Sequence, residues 1–556
     1  MIFISRVRAI HIMVSDDYSQ FNVLVVDDFK QFHSTISDML ESFGIKHIDT
    51  TASGSQAIKL CRAKTYDIIL CDYNMGQNKK NGQQVLESLK FHKILPHQTL
   101  FLLVTAEVSK SMVMATYDNE PDAYIVKPFN AKLLKQRIGK LVTKRQTLTE
   151  LNRLIEEELD DEAITECERL IESNGRHTLA CQKLLSELYL KTKQYDQAET
   201  LYLQVLSKRD RDWAKLGLAR TKRAQDDNEQ ALQLLEEVIE KTPHYMPAFD
   251  LMADIYEECN ELDNALSTMR NVVSLSPNSI LRHQRLAQVA EHTNDFAAAT
   301  EAHLKSIELG TYSCYESEKN FLGLGRGTAQ LIADNDPQAH EYAQKTLNVL
   351  KEVDQRFKLT DEAQLQVKLL LAQVHVGLDN TTTARDLLWE VEQVIDKEST
   401  VIGIDTALDR VKALNATNQQ QRSKDILSEL VKQHENDEIA LEKLDRLLDE
   451  PRSKVVRKRV ADINRDGISL YDEKRYKEAI TVFRRAQKLF PKFIGVNLNL
   501  VQALNGEMRG NGYNDEFMAC CVATLDTVAS FIPETHEQFE RYRQLYEAAR
   551  ELRSGR

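Results

Sequence analysis

Proline and glycine are scarce in this chain: ten and nineteen among 556 residues, with no Gly/Ser-rich stretch that would act as a flexible tether between domains. Cysteine is scarce too. Eight cysteines, none spaced C-x-x-C and one pair (Cys520, Cys521) adjacent, exclude a disulfide framework and predict reduced thiols in a cytoplasmic protein. The fourteen histidines are scattered, with no H-E-x-x-H spacing. Positive charge is in deficit. A formal net charge of −13 argues against a nucleic-acid-binding output, which shows a basic face. The basic run from Arg452 to Arg459, with Lys454, Arg457 and Lys458, lacks interleaved aromatics and reads as a solvated helix face. No apolar run reaches the about 18 residues of a membrane span, so no membrane insertion is expected. The first 14 residues are interrupted by Arg6, Arg8 and His11 and are followed by Ser15, Asp16 and Asp17, so a signal peptide is not expected. A flexible extension over residues 1–19, or a start at Met13, is expected instead. P-loop, G-x-S-x-G and strand-borne G-x-G-x-x-G patterns are absent, as is a helix-turn-helix with basic recognition residues. Leu322-Gly323-Leu324-Gly325 has no strand before it. The two tryptophans, Trp213 and Trp389, read as packing residues.

Length alone suggests about three or four domains. The first is organised around residues 66–75, Tyr-Asp-Ile-Ile-Leu-Cys-Asp-Tyr-Asn-Met. Ile68 to Cys71 is a short, unbroken apolar run, as in a parallel strand buried on both faces, and it stops at Asp72. Four similar strands accompany it: Asn22–Val26 before Asp27-Asp28, a weak one at Lys46–Thr50, Leu100–Val104 before Thr105, and Ala123–Val126 before Lys127-Pro128. Helices are predicted at residues 30–42 (Phe32, Ile36, Met39 and Leu40 on one stripe), 53–61, after Gly82, at 109–117, and from Ala131 (Leu133, Leu134, Ile138 and Leu141). Five βα units make an α/β fold, a doubly wound five-stranded parallel sheet.

In such a sheet Asp27, Asp28, Asp72, Thr105 and Lys127 all fall at carboxyl ends of strands, where ligands bind. Three carboxylates together repel unless a cation neutralises them. Their oxygens suit Mg²⁺, which takes only one or two protein carboxylates and keeps waters. Lys127 and the metal would neutralise an incoming phosphoryl group and Thr105 would donate to one of its oxygens. Asp72 is the natural nucleophile, since a carboxylate accepts phosphoryl in line to give an acyl phosphate.

Asp27-Asp28, Asp72 with Tyr73-Asn74-Met75, Thr105-Ala106-Glu107 and Lys127-Pro128-Phe129 closely resemble the motifs of the CheY-like receiver domain of two-component response regulators, a flavodoxin-like fold, over about residues 20–145. The resemblance implies that Asp72 is the phosphoacceptor of a histidine kinase. It also implies that Asp28, Asp72 and the backbone carbonyl of Asn74 ligate Mg²⁺ directly, with Asp27 acting through water. Tyr124 matches the switch aromatic that turns inward when Thr105 engages the phosphoryl group, and the bond before Pro128 is cis in the family. Asn74 and Glu107 resemble lifetime-tuning residues of chemotaxis-type receivers and predict a short-lived acyl phosphate. Two departures lie beside the acceptor: Gly76 stands where the family has proline, and the loop to Gly82 is about two residues longer than usual, with Asn81 where aspartate is common. Neither removes a chemical group.

From Asn130 onward the chain reads as helix after helix, the last receiver helix continuing through Lys144 and Arg145 into Leu148–Leu159 as a stiff connection. Small residues recur at Ala198, Ala231, Ala265 and Ala299, spaced 33, 34 and 34 residues. Twelve residues before the last three lie Ala219, Ala253 and Ala287, and twelve residues after Ala231 and Ala265 lie Pro243 and Pro277. Tyr189 and Tyr256 match late in a first helix. This period resembles the tetratricopeptide repeat (TPR), a helix–turn–helix unit that stacks into a solenoid. A later unit has Gly467, Tyr476, Ala479, Phe483, Ala486 and Pro491; weaker ones centre on Ala163, Ala384 (after Leu371-Ala372) and Asp425 (after Ala413). The period is lost between Ser313 and Lys358, where Gly323, Gly325 and Gly327 read as a break or bend. The expected domains are an extension at 1–19, the receiver at 20–145, TPR-like helical repeats at 146–312, divergent repeats at 313–460, and a C-terminal TPR-like unit with capping helices at 461–556.

Such arrays bind peptides or helices on a concave face. The reading is therefore a response regulator that takes phosphoryl on Asp72 from a histidine kinase or phosphotransfer protein and controls a protein or peptide partner through its repeats. Beyond autodephosphorylation of the acceptor, no enzymatic output is expected. Two rivals stand beside it: a phosphoryl competitor or inhibitor that grips the kinase or a sibling regulator, and a constitutive scaffold whose receiver forms a homodimer.

Overall fold

A computed structural model describes residues 18–76, 79–96, 98–106, 119–173, 175, 177–398, 402–448 and 450–554. The chain divides into two compact units, residues 1–289 with 302–320, and residues 290–301 with 321–556.

In the first unit, strands β1 (Asn22–Val26), β2 (His47–Thr51), β3 (Ile68–Asp72), β4 (Leu100–Thr105) and β5 (Ala123–Val126) form one parallel sheet in the order β2-β1-β3-β4-β5. Burial explains the order. β3 and β4, with unbroken apolar runs, are buried throughout, whereas His-Ile-Asp-Thr-Thr in β2 is largely open and sits at the edge. Alternate residues of each central strand feed opposite cores. Val23, Val25, Ile68, Leu70 and Leu102 pack with Ile36 and Leu40 of α1 (Lys30–Glu41) and with Leu134 and Ile138 of the helix Ala131–Thr147. Leu24, Ile69, Cys71, Phe101 and Leu103 pack with Ala57 of α2 (Gly54–Ala63) and with Val85 and Leu86 of α3 (Gly82–Phe91). Each such side chain contributes about 1.5–3 kcal/mol on burial. The helix expected at 109–117 lies outside the described residues. With β1 beside β3, Val26 pairs with Cys71, which sets Asp27 level with Asp72. Thr105 pairs with Val126, which sets Lys127 beyond it.

The helix after β5 does not run on as one rod. It ends at Thr147; Leu148 departs from helical geometry, a new helix spans Thr149–Glu156, and Glu158 turns left-handed at φ 58°. Leu148 is buried with Leu151, Leu154, Ala163 and Cys167, so tertiary packing overrides the local preference for a continuous helix.

Antiparallel helices follow. Ala198, Ala231, Ala265 and Ala299 are fully buried, and five residues before each stands a left-handed turn residue: Lys193, Asp226, Asn260 and Asn294. Each turn closes with a bond of one type, exemplified by Gln194 N–H to Tyr189 O at 2.8 Å and Glu261 N–H to Tyr256 O at 2.7 Å, the longer of the two Schellman bonds. Glu158, Asp379 and Lys474 stand five residues before Ala163, Ala384 and Ala479 in the same way. Asn418 does so before Ser423, which is buried, so the unit centred by sequence on Asp425 is registered two residues earlier; Asp425 itself is exposed. A Cβ at Gly217 would overlap the Tyr202 ring, and one at Gly467 would lie 2.5 Å from the Phe483 ring, which is why these positions are small.

In the second unit, Gly323, Gly325 and Gly327 interrupt no helix. They lie inside an uninterrupted helix, Glu318–Ala333, where a Cβ at Gly325 would stand 2.9 Å from Leu370 and one at Gly327 would collide with Thr300. Close helix approach requires Gly325 and Gly327. Trp389 is not a packing residue: it is 64% exposed, because Ala384, Leu388 and Val391 form the buried face of its helix, Thr381–Glu398. Trp213, in the first unit, does pack, edge-on to Tyr202 at 6.2 Å. Buried Asp409 is held by Arg326 at 2.8 Å, its carboxyl pushed up by burial against the pull of that guanidinium. Among the described residues no helix is long and apolar enough to cross a membrane, and all eight cysteines are free. In the basic run, Lys454, Arg457 and Lys458 are exposed at the start of the helix Lys454–Asp472.

Candidate functional site

The carboxyl edge of the sheet gathers charged groups from three strands. Lys127 Nζ, carried by the chain just past β5, lies 2.7 Å from Asp27 Oδ2 and 2.8 Å from Asp72 Oδ1. The side chains of Asp27 and Asp72 are only 3% and 9% exposed, so the ammonium compensates two carboxylates that water barely reaches. Burial pushes the Asp72 carboxyl above the ordinary range, while Lys127 pulls it down and Asp27 pushes it up. For Lys127, burial is the largest single influence and lowers it, yet Asp27 and Asp72 together outweigh it and the ammonium titrates above its usual value.

Local geometry holds the acceptor strand end. Asn74 N–H donates to Asp72 Oδ2 at 3.0 Å and Phe29 N–H donates to Asp27 Oδ1 at 2.9 Å. Tyr73 N–H bonds Val104 O, and Lys127 N–H bonds Thr105 O, both at 2.7 Å. Thr105 is buried. Tyr124 is half-buried against the core of Leu24, Cys71 and Leu103. The Lys127–Pro128 bond is cis.

Gly76 has φ +89°, which proline cannot adopt, so the departure at this position is a requirement of the loop. Asn81 caps α3 in a capping box: its side chain accepts from Gln84 N–H at 2.8 Å, and its own N–H donates to Gln84 Oε1 at 3.1 Å. Gln77, Asn78 and Glu107 lie outside the described residues.

Asp28 is exposed on the rim, its Oδ2 3.2 Å from where a Cβ on Gly76 would be. Among the described residues no group of three or more His, Cys, Asp or Glu side chains is arranged to hold a metal, because Lys127 takes the place between Asp27 and Asp72. The donors on offer are nonetheless all hard oxygens, from Asp28, Asp72 and the Asn74 carbonyl. That set fits a Mg²⁺ ion with few protein ligands and a largely aqueous shell.

Three contributors escaped the sequence. Lys127 Nζ stands 4.0 Å from the centroid of Phe32, a cation–π contact, and Phe32 meets Phe129 edge-on at 6.0 Å. His33 Nε2 lies 2.6 Å from Asp27 O. Gly82 starts α3 so close to the acceptor that a Cβ would overlap the Asp72 carbonyl oxygen. Phe32 sits on a helical apolar stripe and reads as core; only its neighbourhood to the strand ends marks it otherwise.

Residues 23–139 match the response regulator receiver domain family. Residues 180–212, 213–244 and 247–279 match three tetratricopeptide repeat models. The chain is 28% identical over 104 residues to the chemotaxis protein CheY of Pseudomonas aeruginosa, covering 19% of this chain and 82% of that one. It is 26% identical over 104 residues to chemotaxis protein CheY-3 of Vibrio cholerae, covering 19% and 78%. A solved structure of the Vibrio cholerae chemotaxis protein CheY4 is 24% identical, covers 22% of this chain and 98% of that one, and superposes with a TM-score of 0.20.

Proposed function

From a CheY-like receiver domain followed by tetratricopeptide repeats, the makeup of a response regulator with a protein-interaction output, we propose that this chain accepts a phosphoryl group on Asp72 and relays that state to a protein partner of the repeats. The observation that carries the reading is the pairing of the buried Asp72 carboxylate with Lys127 at 2.8 Å beside Asp27. In the proposed reaction an Asp72 oxygen attacks the phosphorus of a phosphohistidine on a kinase or phosphotransfer protein. The O–P bond forms as the N–P bond breaks, and the imidazole leaves with its electron pair. Lys127 exchanges its bond to Asp72 for one to a phosphoryl oxygen while Asp27 keeps it oriented. The Thr105 hydroxyl donates to a second phosphoryl oxygen, and Tyr124 repacks against the position Thr105 vacates. Asp28, Asp72 and the Asn74 carbonyl would hold a Mg²⁺ ion, with Asp27 acting through water, and the ion would supply charge neutralisation for the phosphoryl oxygens. Asn74 and Glu107 set a short acyl-phosphate lifetime.

The test is intact-mass measurement of the full chain incubated with acetyl phosphate and Mg²⁺. One added phosphoryl group on the wild type and none on Asp72→Asn is the expected result; equal labelling of both removes Asp72 from the reaction. Capture of protein partners by the same two proteins then tests the output, since a partner that binds both receiver states equally cannot report the signal.

A further inference from the structure

A second contact surface lies within the first unit, where the turn Thr311–Tyr315, leading into the helix that starts at Glu318, meets the receiver. Lys80 Nζ donates to Tyr312 O, and Gln84 Nε2 donates to Thr311 O at 3.4 Å. Asn119 Nδ2 donates to the Tyr315 hydroxyl at 2.8 Å, and the Tyr315 ring meets Phe91 edge-on at 5.6 Å. On its other side the Tyr315 carbonyl accepts from Gln284 Nε2 of the repeat helices at 3.0 Å, so the turn is fastened at both faces.

What the turn touches is the far end of the segment that leaves the acceptor. Residues 73–81 run from Asp72 to the cap of α3, and Gly82 N–H bonds back to Tyr73 O at 2.9 Å. Gln84 has two duties: its Oε1 completes the cap on Asn81 and its Nε2 reaches the turn. Because Gly82 is pressed onto the Asp72 carbonyl, a displacement of the acceptor backbone is passed to α3 without slack. The seam itself is loosely filled. It encloses a cavity of about 300 Å³ lined by Tyr73, Gln83, Glu87, Ser279 and Tyr315, and Gln83, 5% exposed, has its Oε1 buried with no hydrogen-bond partner among the described residues. The named contacts between turn and receiver, three hydrogen bonds and one ring contact, border this cavity, and a largely polar contact of this kind can open without unfolding either side.

We propose that Thr311–Tyr315 is an intramolecular latch seated on Lys80, α3 and Asn119 of the unphosphorylated receiver, and that phosphoryl on Asp72 loosens it. This rests on the acceptor role of Asp72 given above. Lys127 bridging Asp27 and Asp72 is the arrangement that coexists with the closed latch. A phosphoryl group on Asp72 shifts the Asp72 and Tyr73 backbone, and through Gly82, which packs on the Asp72 carbonyl and bonds Tyr73 O, it moves the start of α3 and the shared Gln84. The repeat helices that carry the turn thereby sense the receiver through a face distinct from Thr105 and Tyr124. By linkage, opening the latch must alter phosphoryl affinity to the same degree.

The test is hydrogen–deuterium exchange of the full chain with and without beryllofluoride and Mg²⁺, which together mimic the acyl phosphate. Exchange over 84–91 and 311–317 should rise about fivefold or more in the wild type, the lower end of ordinary coupling, and stay unchanged in Asp72→Asn. A response at 68–75 without one at 311–317 overturns the latch. Silence at 68–75 instead indicts the acceptor reading, and the latch is then decided by variants in unmodified protein. Tyr315→Ala should raise α3 exchange, and Tyr315→Phe, which keeps the ring on Phe91 but loses the Asn119 bond, should raise it less. Intact protection of β1 and β4 controls for folding. Unchanged α3 exchange in Tyr315→Ala overturns the proposal.

Discussion

Replacing Lys127 with methionine should loosen the receiver sheet rather than merely silence it. The substitution keeps a flexible apolar chain against Phe32 and removes the ammonium that lies 2.7 Å from Asp27 and 2.8 Å from Asp72. Two carboxylates 3% and 9% exposed then face each other uncompensated. Removing one member of a buried ion pair costs about 3–5 kcal/mol, and the partial exposure of Lys127 favours the lower figure. About 3 kcal/mol corresponds to roughly 150-fold faster exchange of amides that open with β1 and β3. Acid should reverse the loss. The Asp72 carboxyl is already raised by burial, so its ionised form is the one that destabilises the folded state, and that penalty fades as pH falls through its folded titration. In the wild type, Lys127 titrates above its ordinary value, so its contribution is complete at neutral pH and is lost only in strong alkali. The assay is native-state hydrogen exchange of the full chain, reported as protection factors at pH 7 and 5. Protection of the variant within about threefold of wild type at pH 7, under 1 kcal/mol, would refute the claim that Lys127 holds this edge together.

Other outcomes follow from the same geometry. Gly82→Ala should cost about 2 kcal/mol in the receiver despite alanine's higher helix propensity, because the new methyl overlaps the Asp72 carbonyl and stands 2.8 Å from Leu103; wild-type protection of α3 in the variant would contradict this. Arg326→Met should destabilise the second unit by about 3 kcal/mol by stranding buried Asp409, and adding Asp409→Asn should recover part of it, as read by urea unfolding followed by far-UV circular dichroism. Without Mg²⁺ the Asp72 carboxyl should titrate above the ordinary aspartate value of about 4, as followed by NMR of the carboxyl carbon; a half-point at or below that value contradicts the burial argument.

Strand ends were legible because burial on both faces leaves an unbroken apolar run, and a carboxylate or lysine after such a run has only the sheet edge to occupy. The alanine period was legible for a related reason: helices that touch tolerate only small side chains, and that demand recurs with the unit. What stayed hidden depended on partners distant in sequence. The break at Leu148 is set by Leu151, Leu154 and Ala163, not by any breaker residue. Gly325 and Gly327 answer Leu370 and Thr300, so a cluster that reads as a bend is a place of close approach. Trp389 shows its ring because Leu388 beside it takes the inward face. Asp425 misled because the repeat's small position is filled by a serine two residues earlier. Phe32 and Gly82 could be assigned only with Lys127 and Asp72 in place, and nothing in the sequence of the turn Thr311–Tyr315 announces the receiver as its neighbour.

The left-handed residue five positions ahead of each small one has a bearing on how such a chain can change over generations. Duplicating or excising a whole unit of 33 or 34 residues restores every turn to an asparagine, aspartate, lysine or glutamate that already adopts it. A one-residue insertion inside the preceding helix would bring Thr192, Thr293 or Thr417 to that position in three of the units, where a β-branched side chain is strongly disfavoured. Lineages of this architecture should therefore differ in the number of their units far more readily than in the length of any one.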